Sequence, residues 1–245
     1  GEDAQALVAA AQKAMPGDPA IRRLPELLAA EGDEQYALRL SVIDDQYPGE
    51  DQAARRALEK ARIAETYGKL DEARQFLARA EQDRPRQALI LQFQLALREQ
   101  RWDDAARLVE RLGALNLDGM DVQGFQGDLA VARAGAGDLS FGEALEAVRK
   151  VVEAQPGALH ARYQMGLCLE RMGALDKARE QYREIRRRNP QYAPGVLGLL
   201  RLASREGSTA DRDRLVREAR QIPELRNHPL VESLHLRRIA PGASR

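Results

Sequence analysis

The chain has 245 residues, of which 44% are hydrophobic, 31% charged and 4% aromatic, and its 38 basic side chains balance 38 acidic ones. A zero net charge argues against a domain built to hold a nucleic-acid backbone, since such domains usually carry a basic excess. The single cysteine, Cys168, excludes an internal disulfide and a metal site made of several thiolates. It leaves both a periplasmic and a cytoplasmic location open.

The composition favours helices and a soluble protein. Ala, Leu, Arg and Glu are abundant, and runs of β-branched or aromatic residues that would build a sheet are scarce. Richness in Ala, Arg and Leu is typical of bacterial proteins. No apolar run reaches the roughly 20 residues of a membrane helix. The chain opens on Gly1-Glu2-Asp3 without a signal peptide, so we expect an excised or processed segment of a longer protein.

In chain order, the apolar pattern predicts helices in pairs that recur. Four segments each combine an apolar residue, an acid or glycine, a charged residue and an alanine: 69–74, 101–106, 140–145 and 174–179. Their alanines (Ala73, Ala105, Ala144 and Ala178) are 32, 39 and 34 residues apart. Pro85, Pro156 and Pro190 each follow the corresponding alanine by 12 residues, where a proline ends a helix. Self-similarity at such a period indicates a repeat architecture.

The most regular unit spans Leu159 to Pro190. Gly166 and Ala178 are small where the two helices of a pair approach closely, and Gly173 permits the tight turn between them. Tyr182 and Ile185 lie three residues apart and are expected to pack toward the next unit. With this unit as reference, the predicted repeats are a partial one at 1–18 and full ones at about 19–50, 54–85, 86–115, 125–156, 159–190 and 193–222, with a capping helix at about 224–239.

This pattern resembles the tetratricopeptide repeat family, whose unit of about 34 residues is a helix–turn–helix. The resemblance covers most of the chain and implies one all-α solenoid over 1–245, a right-handed superhelix of antiparallel helix pairs. It implies a protein-binding scaffold with no catalytic activity, cofactor or metal. Two departures predict irregular stacking: extra residues near Gly113–Gly119 and a glycine-rich turn from Gly135 to Gly142.

Residues that suggest chemistry have simpler interpretations. His160, His228 and His235 are scattered, and a helix would separate His160 from Cys168 by about 12 Å. No phosphate-binding loop, zinc-protease motif or nucleophile elbow occurs in the sequence. The run Arg186–Arg188 lies where positive charge complements a helix C-terminus, so it does not require nucleic acid. Trp102 occupies the same repeat position as Leu70, Phe141 and Leu175, which favours packing at the turn.

The resemblance also implies a binding surface, because the family binds extended peptides or partner helices on a concave face lined by the first helix of each pair. Carried onto this chain, the lining positions hold Leu58, Arg62, Ile90, Arg98, Leu129, Arg133, Tyr163, Arg171, Leu197, Arg201 and Arg205. Arginines dominate and Glu26 and Glu65 are among the few acids, so we expect a partner segment with acidic and apolar residues. The Lys and Asn clamp of the family's co-chaperones is missing from these positions.

Three functions remain open at this point. The first is an interaction scaffold within a larger assembly, such as a bacterial secretion or exopolysaccharide-export machine. The second is the regulatory or substrate-recruiting arm of an enzyme whose catalytic domain lies outside this segment. The third is a self-associating spacer, in which exposed repeat ends stack between chains. In each case the partner is a protein or peptide rather than a nucleic acid or a membrane interior.

Overall fold

The computed structural model describes residues 2–115 and 122–239, and the side chains of 6–115 and 122–234. These residues are all-α, and no strand occurs among them. They form two compact units, Gly1–Met120 and Asp121–Arg245. Unit 1 contains α1 (Glu2–Ala14), α2 (Pro19–Arg22), α3 (Leu24–Ala29), α4 (Gly32–Gln46), α5 (Ala53–Thr66), α6 (Leu70–Ala80), α7 (Pro85–Arg98) and α8 (Trp102–Ala114). Unit 2 contains α9 (Val122–Ala136), α10 (Phe141–Ala154), α11 (Leu159–Arg171), α12 (Leu175–Arg188), α13 (Ala193–Arg205), α14 (Thr209–Ala219) and α15 (Pro229–Ile239).

Five helical hairpins correspond to the repeats predicted from 54 to 222. Their first helices are α5, α7, α9, α11 and α13, and their second helices are α6, α8, α10, α12 and α14. The marker positions Leu70, Trp102, Phe141 and Leu175 each begin a second helix and are half-buried. Trp102 is therefore partly buried at the first residue of α8, directly after the turn.

The N-terminal repeat departs from this regularity. Its first helix is broken into α2 and α3 at Arg23. Pro25 explains the break, because its ring nitrogen cannot donate to the carbonyl of Ile21 and its ring crowds that carbonyl. At the other end, residues Pro223–Leu225 form a short 3-10 turn, and the helix predicted from about 224 begins at Pro229.

The turns of the five hairpins share one hydrogen-bond pattern. In each, the N–H of the residue that directly follows the left-handed residue donates to the carbonyl five residues earlier, a 6→1 bond. These bonds are Lys69 N–H to Ala64 O (2.8 Å), Arg101 to Ala96 (2.9 Å), Asp138 to Arg133 (2.9 Å), Ala174 to Leu169 (2.9 Å) and Ser208 to Ala203 (3.2 Å). The left-handed residue before each donor has positive φ, and it is glycine in four hairpins and Gln100 in the fifth. Glycine is favoured there because a Cβ strains this backbone conformation.

Both sequence irregularities lie beside α9. The turn between α9 and α10 has four residues, whereas three join the helices of each of the other four hairpins. Ser140 closes this longer turn with a capping box, in which its hydroxyl accepts from the Glu143 N–H and Glu143 accepts from the Ser140 N–H. The predicted irregularity at 113–119 falls mostly outside the described residues, since 116–121 are not described.

The core of unit 2 is centred on Tyr182, whose side chain is fully buried. A Cβ added to Gly166 of α11 would lie 2.4 Å from the tyrosine ring, and one added to Gly198 of α13 would lie 2.7 Å from it. Ile185 fits against Gly195 in the same way, at 2.5 Å. The prediction that Tyr182 and Ile185 pack toward the next repeat is confirmed, and glycines on both neighbouring helices make room for them.

Candidate functional site

The first helices of unit 2 lie side by side, since α11 contacts both α9 and α13. We call their shared surface the first-helix face; it is defined by Asp128, Leu129, Arg133, His160, Tyr163, Arg171, Leu197, Arg201 and Arg205. Leu129, Tyr163 and Leu197 are half-buried, which leaves part of each side chain available for contact. The face therefore combines apolar and charged groups on a rigid helical support.

The predicted arginines are mostly engaged within the chain. In unit 1, Arg62 pairs with Glu59 at 3.3 Å and Arg98 with Glu65 at 2.9 Å. In unit 2, Arg133 pairs with Asp138 at 2.6 Å, and Arg201 and Arg205 approach Glu170 at 3.0 Å and 3.9 Å. Arg171 is exposed and forms no ion pair within the part of the chain that the structure describes. An acidic partner would thus compete with internal carboxylates at every one of these sites except Arg171.

The apolar members of the predicted set also differ among themselves. Leu58 is 6% exposed and belongs to the core of unit 1, where it packs with Tyr36, Ala61 and Leu77. Its side chain is therefore unavailable to a partner, because residue 58 faces the neighbouring helices. Ile90 is half-buried and retains some accessible surface. Burial and distances do not test whether the remaining residues bind a partner. Their binding role stays a prediction.

A buried polar network ties α11, α12 and α13 together. Glu170 is 8% exposed and accepts hydrogen bonds from the Tyr182 hydroxyl (2.9 Å) and from Arg201 Nη2 (3.0 Å). The guanidinium of Arg201 also donates to the Tyr182 oxygen at 3.2 Å and lies about 6 Å from the ring centres of Tyr163 and Tyr182 (6.0 and 5.9 Å). Burial and the charge of Glu170 raise the pKa of Tyr182 far above its usual value, so the hydroxyl remains a donor.

A second polar cluster joins α9 to α11. Asp128 Oδ1 lies 2.7 Å from His160 Nε2 and also accepts a hydrogen bond from the Gln164 amide. His160 and Gln164 are one helical turn apart, so both reach the same carboxylate from α11. Gln164 is 4% exposed, whereas the His160 side chain is 57% exposed. The cluster thus has a fixed inner part and a solvent-facing imidazole.

Sequence reasoning missed Glu170, Asp128 and Gln164 as members of these clusters. The signal that finds them is a separation close to the repeat length, because residues one repeat apart lie on neighbouring first helices. Glu65 and Arg98 are 33 residues apart, Asp128 and His160 are 32 apart, and Glu170 and Arg201 are 31 apart.

An open cavity of about 460 Å³ in unit 1 lies among α6, α7 and α8. Its rim includes Arg74, Arg101, Arg107 and Arg111 around a floor of Leu95, Ala96 and Leu108. Each arginine is already paired, to Glu99, Asp104 or Glu81. The cavity therefore presents balanced charge rather than a prepared anion site.

The remaining candidates for chemistry have structural surroundings. Cys168 is fully buried, and that burial raises the pKa of its thiol to about 11. Arg187 and Arg188 both bond to Glu184 and hold the pKa of that carboxyl at about 2, while Arg186 pairs with Glu218 at 3.2 Å. Across residues 2–115 and 122–239, no three His, Cys, Asp or Glu side chains gather as a metal site. None of the helices within those ranges has the length and apolar character needed to span a membrane.

Comparisons with known proteins agree with this architecture. A family model of the tetratricopeptide repeat matches residues 135–202, from the end of α9 to α13. A tetratricopeptide repeat protein from Parabacteroides merdae superimposes with a TM-score of 0.63 at 13% identity, over 93% of this chain and 88% of that one. YrrB, a tetratricopeptide repeat protein described as having an unusual peptide-binding site, gives a TM-score of 0.44 at 17% identity, over 80% of this chain and 97% of that one. No curated protein matches the chain.

Proposed function

We propose that this tetratricopeptide repeat protein is a protein–protein interaction scaffold that holds a segment of its partner on the first-helix face of unit 2. Proteins of this family are typically non-catalytic scaffolds, and the fold suits that role because adjacent first helices present a continuous row of side chains. The observation that carries the proposal is the exposed Arg171, which has no ion pair among the described residues and lies on the same helix as the half-buried Tyr163, with the half-buried Leu197 on the neighbouring α13. The scaffold would form part of a larger assembly, such as a bacterial secretion or exopolysaccharide-export machine.

The partner segment carries acidic and apolar residues. Arg171 has no internal carboxylate within the described residues, and the contact of Arg205 with Glu170 is long at 3.9 Å. Both guanidiniums lie in the last turns of α11 and α13, so they form one basic end of the face. A carboxylate of the partner can bind there without breaking a short internal ion pair. The half-buried Leu197, nearer the start of α13, offers apolar surface to the rest of the segment.

The test begins with capture of partners by the immobilised chain from a lysate of the source organism, at low and at high salt. The affinity of a captured protein is then measured for Arg171→Glu and Arg205→Glu by biolayer interferometry. We expect each reversal to weaken binding about tenfold, since a like charge replaces an attractive one. Arg183→Glu is the matched control, because Arg183 is exposed on the second helix α12.

Each outcome of these measurements bears on a different part of the proposal. Unchanged affinity of both reversals would refute the acidic preference, and equal loss in the Arg183 control would show a general charge effect. Failure to capture any partner at either salt concentration would refute the scaffold role of this face.

A second candidate, self-association, is favoured by one observation. Leu7 is 71% exposed and Leu28 is 65% exposed, so the N-terminal helices present large apolar side chains to solvent. Sedimentation velocity over a range of concentrations tests it: a mass that rises with concentration and falls back in Leu28→Lys supports stacking between chains. A single monomeric species at every concentration refutes it.

A further inference from the structure

We infer that the first-helix face of unit 2 carries a subsite for a basic side chain, a lysine or arginine of the bound segment, formed by Asp128, His160 and Gln164. This inference rests on the proposed function, because it places a second recognition point on the same face. It also changes the expected partner: the segment has a basic residue at one end of the face in addition to acidic residues at the other.

The first argument is the missing counter-charge of Asp128. At the two other junctions where a first-helix carboxylate bridges to the next first helix, the partner is an arginine: Glu65 with Arg98 and Glu170 with Arg201. Asp128 is bridged instead to the imidazole of His160, at 2.7 Å. Within the described residues no lysine or arginine forms an ion pair with Asp128. The carboxylate therefore lacks, among the described residues, the arginine that its counterparts Glu65 and Glu170 have.

The second argument is the geometry of that carboxylate. Both internal hydrogen bonds, from His160 and Gln164, go to Oδ1. Oδ2 accepts no hydrogen bond from any described residue, and the side chain is 26% exposed. The buried Gln164 amide holds the carboxylate in place from the interior side. A preorganised, half-exposed carboxylate with one oxygen free suits an ammonium or guanidinium donor.

The third argument is the aromatic surroundings. Tyr163 lies on α11 one turn from His160, and Tyr192 precedes the first residue of α13. Tyr192 is half-buried, and burial, followed by the influence of Tyr163 and Asp128, raises the pKa of its hydroxyl. Tyrosine rings attract cations, and Tyr163 lies on the helix that supplies His160 and Gln164. Arg171 and Arg205 lie at the opposite end of their helices, so the face has an acidic end and a basic end.

The experiment uses an array of heptapeptides with random flanking residues and a central residue fixed as each amino acid in turn. The whole chain is applied as wild type, Asp128→Asn and His160→Arg. We expect the wild type to bind Lys- and Arg-centred peptides about tenfold better than Gln-centred ones, as a hydrogen bond to a charged group predicts. Both variants should lose this preference, because the first removes the charge and the second supplies an internal cation like Arg98 and Arg201.

Glu180→Gln is the matched control. It removes one negative charge from an exposed position on the second helix α12, so it should keep the basic preference if the effect is local. Melting curves of all variants check folding, and His160→Arg gives an independent answer if Asp128→Asn is poorly folded.

The readings distinguish this inference from the function on which it rests. Retention of the basic preference by Asp128→Asn and His160→Arg overturns the subsite. Selection of acidic and apolar centres without basic ones by the wild type overturns the subsite and leaves the scaffold role standing. Binding of no peptide at all overturns both.

Discussion

The hairpins α7–α8 and α11–α12 fill equivalent positions with opposite side chains. Seven residues before the left-handed turn residue, α7 has Phe93 and α11 has Gly166; nine residues after it, α8 has Val109 and α12 has Tyr182. All four positions are buried. The large aromatic residue lies on the first helix of one hairpin and on the second helix of the other. Core volume is thus maintained in each hairpin while its distribution differs, which is how tightly packed interiors tolerate change.

The exchange matters because tyrosine brings a hydroxyl group. In α11–α12 that hydroxyl reaches Glu170 and, through it, Arg201 of the next repeat. The residue equivalent to Glu170 in α7 is Leu97, and Phe93 has no polar atom, so the α7–α8 hairpin lacks this arrangement. One hairpin is therefore stabilised by apolar packing and the other by packing plus a polar link to its neighbour. Three substitutions test how these two hairpins differ in packing, in the polar link and in their turns.

The largest effect is expected from Gly166→Ala. The new methyl group would meet the Tyr182 ring at 2.4 Å, and the ring cannot retreat because Gly198 contacts its other side. Overpacking of this kind should lower the free energy of unfolding by about 3 kcal/mol in chemical denaturation. Gly135→Ala is the control: nothing lies within 4 Å of its added Cβ, so it should stabilise α9 by about 0.5 kcal/mol. Equal stability of the two variants would show that Tyr182 has room to move.

The next effect is expected from Glu170→Gln, which keeps the size of the side chain and removes its charge. Loss of one partner of a buried ion pair is strongly destabilising, but the Arg201 side chain is 29% exposed and can be hydrated in part. We therefore expect a loss of about 2 kcal/mol. Combining it with Tyr182→Phe in a double-mutant cycle measures the coupling between the two groups. Strict additivity would mean that the hydrogen bond from Tyr182 contributes independently of the charge.

The smallest effect concerns the turns of the same two hairpins. Gln100 adopts φ +58° where Gly173 adopts φ +81°, and a side chain in this region costs about 1 kcal/mol. Gln100→Gly should therefore stabilise unit 1 by about that amount, and the reverse exchange, Gly173→Ala, should destabilise unit 2. Gln100→Ala, which keeps the Cβ, should change little. Thermal denaturation of the three variants would contradict the argument if Gln100→Gly were no more stable than Gln100→Ala.

The helical pairs were predictable because their signals are local. Glycine at the turn and a small residue in the following helix recur in phase, and the helices begin at the positions that these markers indicate. The break at Arg23 depends on Pro25, a signal also present in the sequence but not used in the prediction. Two prolines, Pro223 and Pro229, each offer a start for the last helix, and the sequence pattern does not decide which of them begins α15.

The binding surface was harder to predict because a position in a repeat does not determine what a side chain touches. Arg201 occupies a lining position, yet it is held by Glu170 of the preceding repeat. Leu58 occupies a similar position and is buried in the core of unit 1. Whether a charged residue is available depends on a partner about one repeat away, and that dependence requires the three-dimensional register of the helices.

The position of Tyr182 between Gly166 and Gly198 also limits how this array can be rearranged during evolution. A repeat that is duplicated or moved beside α12 must bring a glycine at the place of Gly198, or the incoming helix collides with the ring. It must also bring a cation at the place of Arg201, or Glu170 is left without its counter-charge. The α11–α12 hairpin therefore accepts only successors of matching sequence. Within an architecture known for interchangeable modules, α11–α12 and the helix that follows it are expected to be inherited together.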